Sequence, residues 1–556
     1  MWLATVCFGL LTAAWSVLTP LAEAPDEPAH MGLVLHLADT GRYPDYDGLA
    51  HSEGVVQLCR DYAVSTQWCR TEAERADGVA VRERRADDAP ARGARARGDD
   101  PDFDEAVADR MNQMPQHPPL YYQLMAGALR VERAAVPGTM TVDTELAYLR
   151  LLNVLMLLPL PWLAWLTARR LGLDEGVAGV AALLPLAVPQ LTHIGGTLNN
   201  DNLFTVLVAA LVALLAGVVR GDRSVRTAAL VGLVTGLALL TKGFGVVLPP
   251  LVVLAYGVAA WRHLRGATPG ALVAGGVAFV VSGWWYVGNL VRVGKVMPSV
   301  EDQGRLSSSS RPAGFRPDVG EWLGSTTTRM VEGWWGSFGW REVRLPFLLC
   351  LVLTVVASLA VLLAALGVPA PTLHPTPPCL PLRRRLRRHC HLVEANRTKG
   401  LVVLVGPVVL LGAFVVVRSA VIYGGTGRLA FQQGRYLFGG LTGLAVLAAL
   451  GMARRLGPGR ARPVAVGAVV GLQALAMGWC LVGWWGADDV GPVGAVRAVA
   501  AWSGWPDPLA FVLLVGGVAA LAVLPVAARQ PVVPAASALE GEQPVDRHPA
   551  VPDLTG

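Results

Sequence analysis

The chain is short of charge. Of its 556 residues only 16% are Asp, Glu, Lys or Arg, against 53% apolar. Soluble domains carry about 25% charged residues, so this deficit excludes the three or four soluble domains that length alone would favour. Nucleotide signatures are missing as well. No Walker loop and no Rossmann fingerprint occurs, so nothing is built to cradle a nucleotide. Cysteine is sparse, at seven residues, and none is spaced with His as a zinc site would require. The sequence has no evident internal repeat. The formal charge of +6 is no nucleic-acid signal, because Lys and Arg fall in small clusters between apolar runs. Residues 1–22 lack a basic n-region and run into an acidic motif instead of a small-residue cleavage site. They read as a retained first span rather than a secretory signal.

What is present is apolar length, with a mean hydropathy of +0.45. A helix crosses the hydrocarbon core in about 20 residues. Apolar runs of that order lie near 2–22, 147–168, 175–193, 202–219, 227–241, 244–261, 270–291, 346–368, 401–418, 435–453, 463–485 and 508–527. The expected fold is therefore all-α and polytopic, with about twelve transmembrane helices. Flanking basic residues set the orientation. Arg169 and Arg170, the group Arg220, Arg223 and Arg226, then Arg262 and Arg265 fall in alternate connections, as do the run 383–388 and the group 454–462. All reach the cytoplasm if residue 1 starts there. The Ala, Arg, Gly and Val bias points to a bacterial inner membrane.

On this map, 1–22 is the first transmembrane helix and 23–146 an extracytoplasmic loop. Within that loop, 119–136 carries Arg130, Glu132 and Arg133; a span there would invert every later connection, so an interfacial helix is expected. Twenty of the forty residues at 71–110 are charged, which predicts a disordered insert. Transmembrane helices fill 147–291, a second outer loop 292–345, and further helices 346–528. The last block encloses a basic cytoplasmic linker at 369–400, which holds Cys379 and Cys390 and can meet anionic lipid headgroups. Residues 529–556 form a loose cytoplasmic tail. Cys59 and Cys69 share the outer loop, where an oxidising exterior permits a disulfide.

Polar motifs are informative in so apolar a chain, because buried charge in membrane proteins marks function. Six of them map to the outer side: Glu23–His30, Gln116–Tyr122, Gly195–Asn202, Thr241-Lys242-Gly243, Trp334–Trp340 and Gln433-Gly434-Arg435-Tyr436. Asp26 and Glu27, held between Pro25 and Pro28, can serve as a general base or ligate a divalent cation such as Mg or Mn. They can equally be solvated acids at a helix boundary. His30, four residues on, shares a helical face with Asp26. Lys242 interrupts two apolar runs, where snorkelling is the plain alternative. Arg435 begins a span on the side where positive charge is disfavoured, and a guanidinium forks onto a lipid phosphate. Asn200 and Asp201 suit sugar hydroxyls or a metal, or simple helix capping. Trp335 and its Trp neighbours can stack on a sugar, or belt the interface.

The order of these motifs resembles the GT-C superfamily of polytopic glycosyltransferases, which includes the protein O-mannosyltransferases and the aminoarabinose lipid A transferases. The nearest likeness is to a family of bacterial membrane proteins known as a domain of unknown function. In it Pro-Asp-Glu-Pro-x-His, His-Pro-Pro-Leu-Tyr-Tyr, an Asn-Asp pair, Gly-x-Phe-Gly-Trp and Gln-Gly-Arg-Tyr recur in this order. The likeness runs from about residue 20 to 440. It implies transfer of a sugar from a polyprenyl-phosphate carrier to a cell-envelope glycan, lipid or protein outside the cytoplasm, without nucleic acid. It maps catalysis to Asp26, with Glu27 second, and metal use, if any, to the same pair. It places Lys242 and Arg435 at the leaving phosphate, and His117, Tyr121 and Tyr122 in the pocket wall, with Tyr436 beside Arg435. A transporter or flippase of lipid-linked saccharides, or a non-catalytic envelope-assembly subunit, would share many of these features. A transporter, however, calls for polar residues at mid-membrane and inverted repeats.

Overall fold

The computed structural model describes residues 1–62, 84–97, 106–136, 140–260, 268–299, 313–367, 384–486 and 490–528. The described chain is helical apart from two small antiparallel pairings, Ala50–Ser52 with Ala106–Met111 and Ser337–Phe338 with Val343–Arg344. Eight helices are long and apolar enough to cross a membrane; a pair bent by 69°, Glu175–Ala187 with Pro189–Gly195, makes a ninth. Three shorter apolar helices, Trp2–Leu18, Val225–Thr241 and Gly243–Ala259, lie where further spans were expected. The protein is a multi-pass membrane protein.

The helices differ in what surrounds them. Phe347–Leu366 buries 11% of its most apolar window and Asp507–Val526 22%, whereas Asp201–Val219 buries 67% and Gly434–Leu456 61%. On the outer helix Leu348, Val352, Val356, Leu359 and Leu366 are at least half exposed, a surface that only lipid covers without penalty. The two enclosed helices form the centre, and both begin at the polar motifs.

Local chemistry explains the breaks. The first helix stops at Leu18, four residues short of the expected span, because Pro20 follows. Glu27–Thr40 starts with Pro28 in its first turn and closes on Gly41 in the left-handed region. Pro189 opens the second limb of the bent pair. Val225–Thr241 lies against Thr268–Val293 through Gly232 and Gly236, where a Cβ would strike the Ala274 carbonyl and Val281, the small-residue spacing typical of close helix contacts in lipid.

Part of the insert expected to be disordered is instead pinned. Arg84 is buried and pairs with Glu23 at 2.9 Å, and donates to the carbonyls of Tyr62 and Trp484. Arg95 pairs with Asp143 at 2.5 Å and donates to Ser503 and Ala501. Composition misled here because two arginines find buried carboxylates and carbonyls, which repay desolvation. Residues 63–83 and 98–105, the linker 368–383 and the tail 529–556 lie outside the described residues. Cys59 is disulfide-bonded; Cys69, its expected partner, lies outside the described residues, as does Cys379. Cys7, Cys350 and Cys480 are free and buried in apolar helices.

Candidate functional site

Four helices begin around one locus: Glu27–Thr40, Leu120–Ala135, Asp201–Val219 and the turn Gly434–Gly440 that leads into the last central helix. Their N-terminal ends, the positive ends of their dipoles, lie at it, an environment that favours anions. The acid Asp26 is the residue before the first of these helices, and its backbone is left-handed, at φ 64°. A non-glycine residue there costs about 1–3 kcal/mol and persists only where the surroundings enforce it.

The side chains form a chain of alternating charge. Asp26 Oδ2 accepts from Arg435 Nη2 at 3.0 Å, and Oδ1 from Gln113 Nε2 at 3.3 Å. Arg435 Nε lies 3.4 Å from Asp201 Oδ2. Asp201 Oδ1 is paired with Lys242. Lys242 also reaches Asn200 Oδ1 at 3.4 Å and sits over the rings of Phe244 and Tyr436. Asn200 Nδ2 meets Tyr122 Oη at 3.4 Å, and that hydroxyl lies 3.0 Å from His30 Nδ1, with the two rings stacked. Asp201, Lys242 and Arg435 are almost fully buried, while the Asp26 side chain keeps 17% exposure. The expected residues Asp26, His30, Tyr122, Asn200, Asp201, Lys242, Arg435 and Tyr436 are thus brought together.

Burial, and then the positive charges of Lys242 and Arg435, hold the His30 imidazole well below its ordinary value. His117, half-buried beside the same group, is pushed down to about 3 by burial and by Lys242. Burial lowers the Lys242 ammonium, and the Asp201 carboxylate opposes that shift. Both imidazoles are poor proton acceptors here, because burial and the nearby cations disfavour their protonated form.

Three expected residues stand elsewhere. Glu27 does not face the site. Its Oε1 accepts from Arg150 Nε at 2.8 Å and the Leu198 N–H at 3.0 Å, and its Oε2 from Arg150 Nη2 at 2.5 Å and the Ala22 N–H at 3.0 Å. Arg150 in turn caps the end of the first helix through the carbonyls of Ser16, Thr19 and Pro20. Glu27 is a structural anchor, since a carboxylate with both oxygens doubly bonded has nothing left to offer. Tyr121 donates to Asn153 and lies behind Tyr122. Trp335 is buried and donates to Thr354 at 2.8 Å, so it presents no free face for stacking.

A divalent cation does not fit the acids as they stand. Arg435 and Lys242 occupy the oxygens of Asp26 and Asp201, Glu27 is consumed, and among the described residues no three His, Cys, Asp or Glu side chains gather as a metal-holding group.

Arg150 and Gln113 were not expected. Arg150 was legible as a lone cation within an apolar run, the usual mark of a buried ion pair; Gln113 carries no such signal. The position of Arg435 depends on a close approach. A Cβ on Gly434 would collide with the Met330 carbonyl and the Trp334 N–H, so helix Val319–Trp335 lies directly on the backbone before Arg435.

The family model described as "Predicted membrane protein (DUF2142)" matches residues 8–443. No curated protein matches the chain. Among solved structures, the chain is similar to ArnT from Cupriavidus metallidurans bound to undecaprenyl phosphate, at 14% identity and TM-score 0.42, covering 94% of this chain and 77% of that one. It is also similar to the apo oligosaccharyltransferase of Archaeoglobus fulgidus, at 11% identity and TM-score 0.39, covering 94% of this chain and 55% of that one.

Proposed function

The chain belongs to the DUF2142 family of predicted membrane proteins, and from that premise we propose that it is a glycosyltransferase that moves a sugar from a polyprenyl-phosphate carrier to an extracytoplasmic cell-envelope acceptor. One observation carries the reading. A strained, partly open carboxylate, Asp26, touches a buried cation, Arg435, that is linked through Asp201 to a second, Lys242, where several helices begin. Such a locus binds an anion beside a base, which is what displacement of a sugar from a phosphate requires. The motif order that resembles the GT-C superfamily agrees with this reading.

In the proposed step the acceptor hydroxyl attacks the anomeric carbon and its proton passes to Asp26. The bond from that carbon to the phosphate oxygen breaks, and the phosphate keeps the electron pair. Lys242 and Arg435 stabilise the charge that develops on it. Arg435 Nη1 is buried and has no partner among the described residues, so it can donate to a phosphate oxygen while Nη2 holds Asp26. A single displacement of this kind inverts the anomeric centre. His117, Tyr122 and His30 form the uncharged wall.

Purified protein in nanodiscs, supplied with radiolabelled polyprenyl-phosphate sugars and an envelope acceptor extract, tests the reading. Turnover is expected with at least one donor. Lys242→Gln should weaken undecaprenyl phosphate binding about ten-fold, the loss of one charge-assisted contact. Binding unchanged in that variant, together with no turnover across the donor panel, would sink the proposal.

A further inference from the structure

Arg435 also lines a cavity that Lys242 does not line, enclosing about 430 Å³ of space, part of it open to solvent. Its wall contains Pro25, next to Asp26, and three arginines: Arg329, Arg341 and Arg435. Gln190 and Trp340 complete the part that matters here. None of these side chains belongs to the phosphate locus except Arg435, which stands between the two.

The charges in this wall are incompletely matched. Arg341 pairs with Glu332 at 3.0 Å. Arg329 bonds only an uncharged acceptor, the Leu429 carbonyl at 2.6 Å, and has no carboxylate within ion-pair distance among the described residues. Burial first, and then the Arg341 guanidinium, push its protonation down from the ordinary value, and Glu332 opposes that shift. Donors are in excess too. The Trp340 indole N–H is buried without an acceptor, and Gln190 Oε1 is used by the Ser337 N–H at 2.8 Å, which leaves its amide NH2 for another partner. Buried donors are rarely left so.

The backbone has been bent to make this wall. The turn between Ser337–Phe338 and Val343–Arg344 places Arg341 in the left-handed region at φ 77°, and Phe431, just before Gln432, has φ 61°. With Asp26 and Ala22 these are all the non-glycine residues of positive φ among the described residues. Arg341 lines the cavity, and Asp26 and Phe431 each adjoin a lining residue, Pro25 and Gln432.

We propose that this cavity is a second anion subsite, which takes a phosphate or carboxylate group carried by the acceptor and grips it between Arg329 and Arg341, with Arg435 as the inner wall. It rests on the glycosyltransferase reading for which molecule bears the anion, not for the anion itself. The subsite sits beside Pro25, so an acceptor anchored there brings a hydroxyl toward Asp26.

The test uses the full chain in nanodiscs at low ionic strength, with inorganic phosphate as the probe and calorimetric binding as the readout. Phosphate should bind even when undecaprenyl phosphate is saturating. Arg329→Gln and Arg341→Gln should each weaken it by about ten-fold or more and leave undecaprenyl phosphate affinity within about two-fold. Arg329→Lys, which keeps the charge, should retain most of the binding and reports that the fold is intact. Phosphate affinity unchanged by both Gln variants overturns the proposal, and so does complete exclusion of phosphate by undecaprenyl phosphate, which would mean a single shared site. Should undecaprenyl phosphate fail to bind while phosphate binds and depends on Arg329, the glycosyltransferase reading falls and the anion subsite stands. Competition by glycerol 3-phosphate supports an acceptor-borne anion. Competition only by a polyprenyl-phosphate-linked uronic acid, and not by its neutral-sugar counterpart, would move the anion to the donor sugar and overturn the assignment to the acceptor.

Discussion

Asp26 and Glu27 are neighbours in the chain and opposites in the fold. Glu27 is fully enclosed, and each of its oxygens accepts two hydrogen bonds, from Arg150 and from the Leu198 and Ala22 N–H groups. Asp26 has a strained backbone, one arginine, one glutamine and a remaining opening to solvent. The pair teaches that a carboxylate is assigned by what it has left over. A saturated buried ion pair is architecture, whereas an incompletely bonded one held at a conformational cost is poised to do something. A residue-by-residue reading of the motif Pro-Asp-Glu-Pro cannot make this distinction, because both acids are equally conspicuous in it.

The comparison can be broken most forcefully at Glu27. Glu27→Ala leaves the Arg150 guanidinium buried and uncompensated, a cost of about 3–5 kcal/mol. The expected outcome is loss of the monodisperse species in size-exclusion chromatography and a large drop in thermal midpoint in detergent. Asp26→Asn should do the reverse: the thermal midpoint stays within a few degrees of wild type while turnover falls by about 100-fold or more. Equal destabilisation by the two variants would erase the contrast. Gly434→Ala probes the support behind Arg435, since the added methyl meets the backbone of helix Val319–Trp335. Overpacking of this kind costs about 1–3 kcal/mol, and differential scanning fluorimetry should show it together with weaker undecaprenyl phosphate binding.

The smallest effect expected is on acid tolerance. His117 has its protonation depressed to about 3 in the folded protein, below the value of about 6.5 that it takes when unfolded. Between those values the unfolded chain binds a proton that the folded chain does not, so the stability contributed is present above about pH 6.5 and is lost as pH falls. His117 is only half-buried, and solvent screening holds its share to about 1 kcal/mol by pH 5. His117→Gln should flatten the fall in thermal midpoint between pH 7 and pH 5; an unaltered pH profile would count against a neutral imidazole there.

Much of this was legible before any coordinates. Apolar run length located the helices, since the hydrocarbon core imposes a length on whatever crosses it. The polar motifs named most of the cluster, because a chain with so few charges rarely places one without reason. Three things were not legible. Whether Glu27 or Asp26 would be consumed depended on Arg150, more than 120 residues away. The order in 84–97 depended on partners such as Glu23 and Asp143 that composition does not pair with it. Arg329 and Arg341 flank a Trp-rich loop and look like ordinary surface cations until the close approach of Gly434 to the neighbouring helix brings them beside Arg435.

Gln473 ties the two ends of the protein together. It is completely buried, accepts from the Trp15 indole at 2.9 Å and donates to the Leu186 carbonyl and the Thr192 hydroxyl. The Trp485 indole donates to the carbonyl of Leu18 at 2.8 Å, eight residues before Asp26. During synthesis helix Trp2–Leu18 therefore precedes these partners by most of the chain and is completed late. Its bonds to Arg150 can form once that residue has emerged, but the Trp15 and Leu18 contacts stay unmet until more than 450 further residues have left the ribosome. A protein truncated before residue 473 should reach the bilayer and still lack the Trp15 and Leu18 contacts that close the helix end above the Asp26 turn.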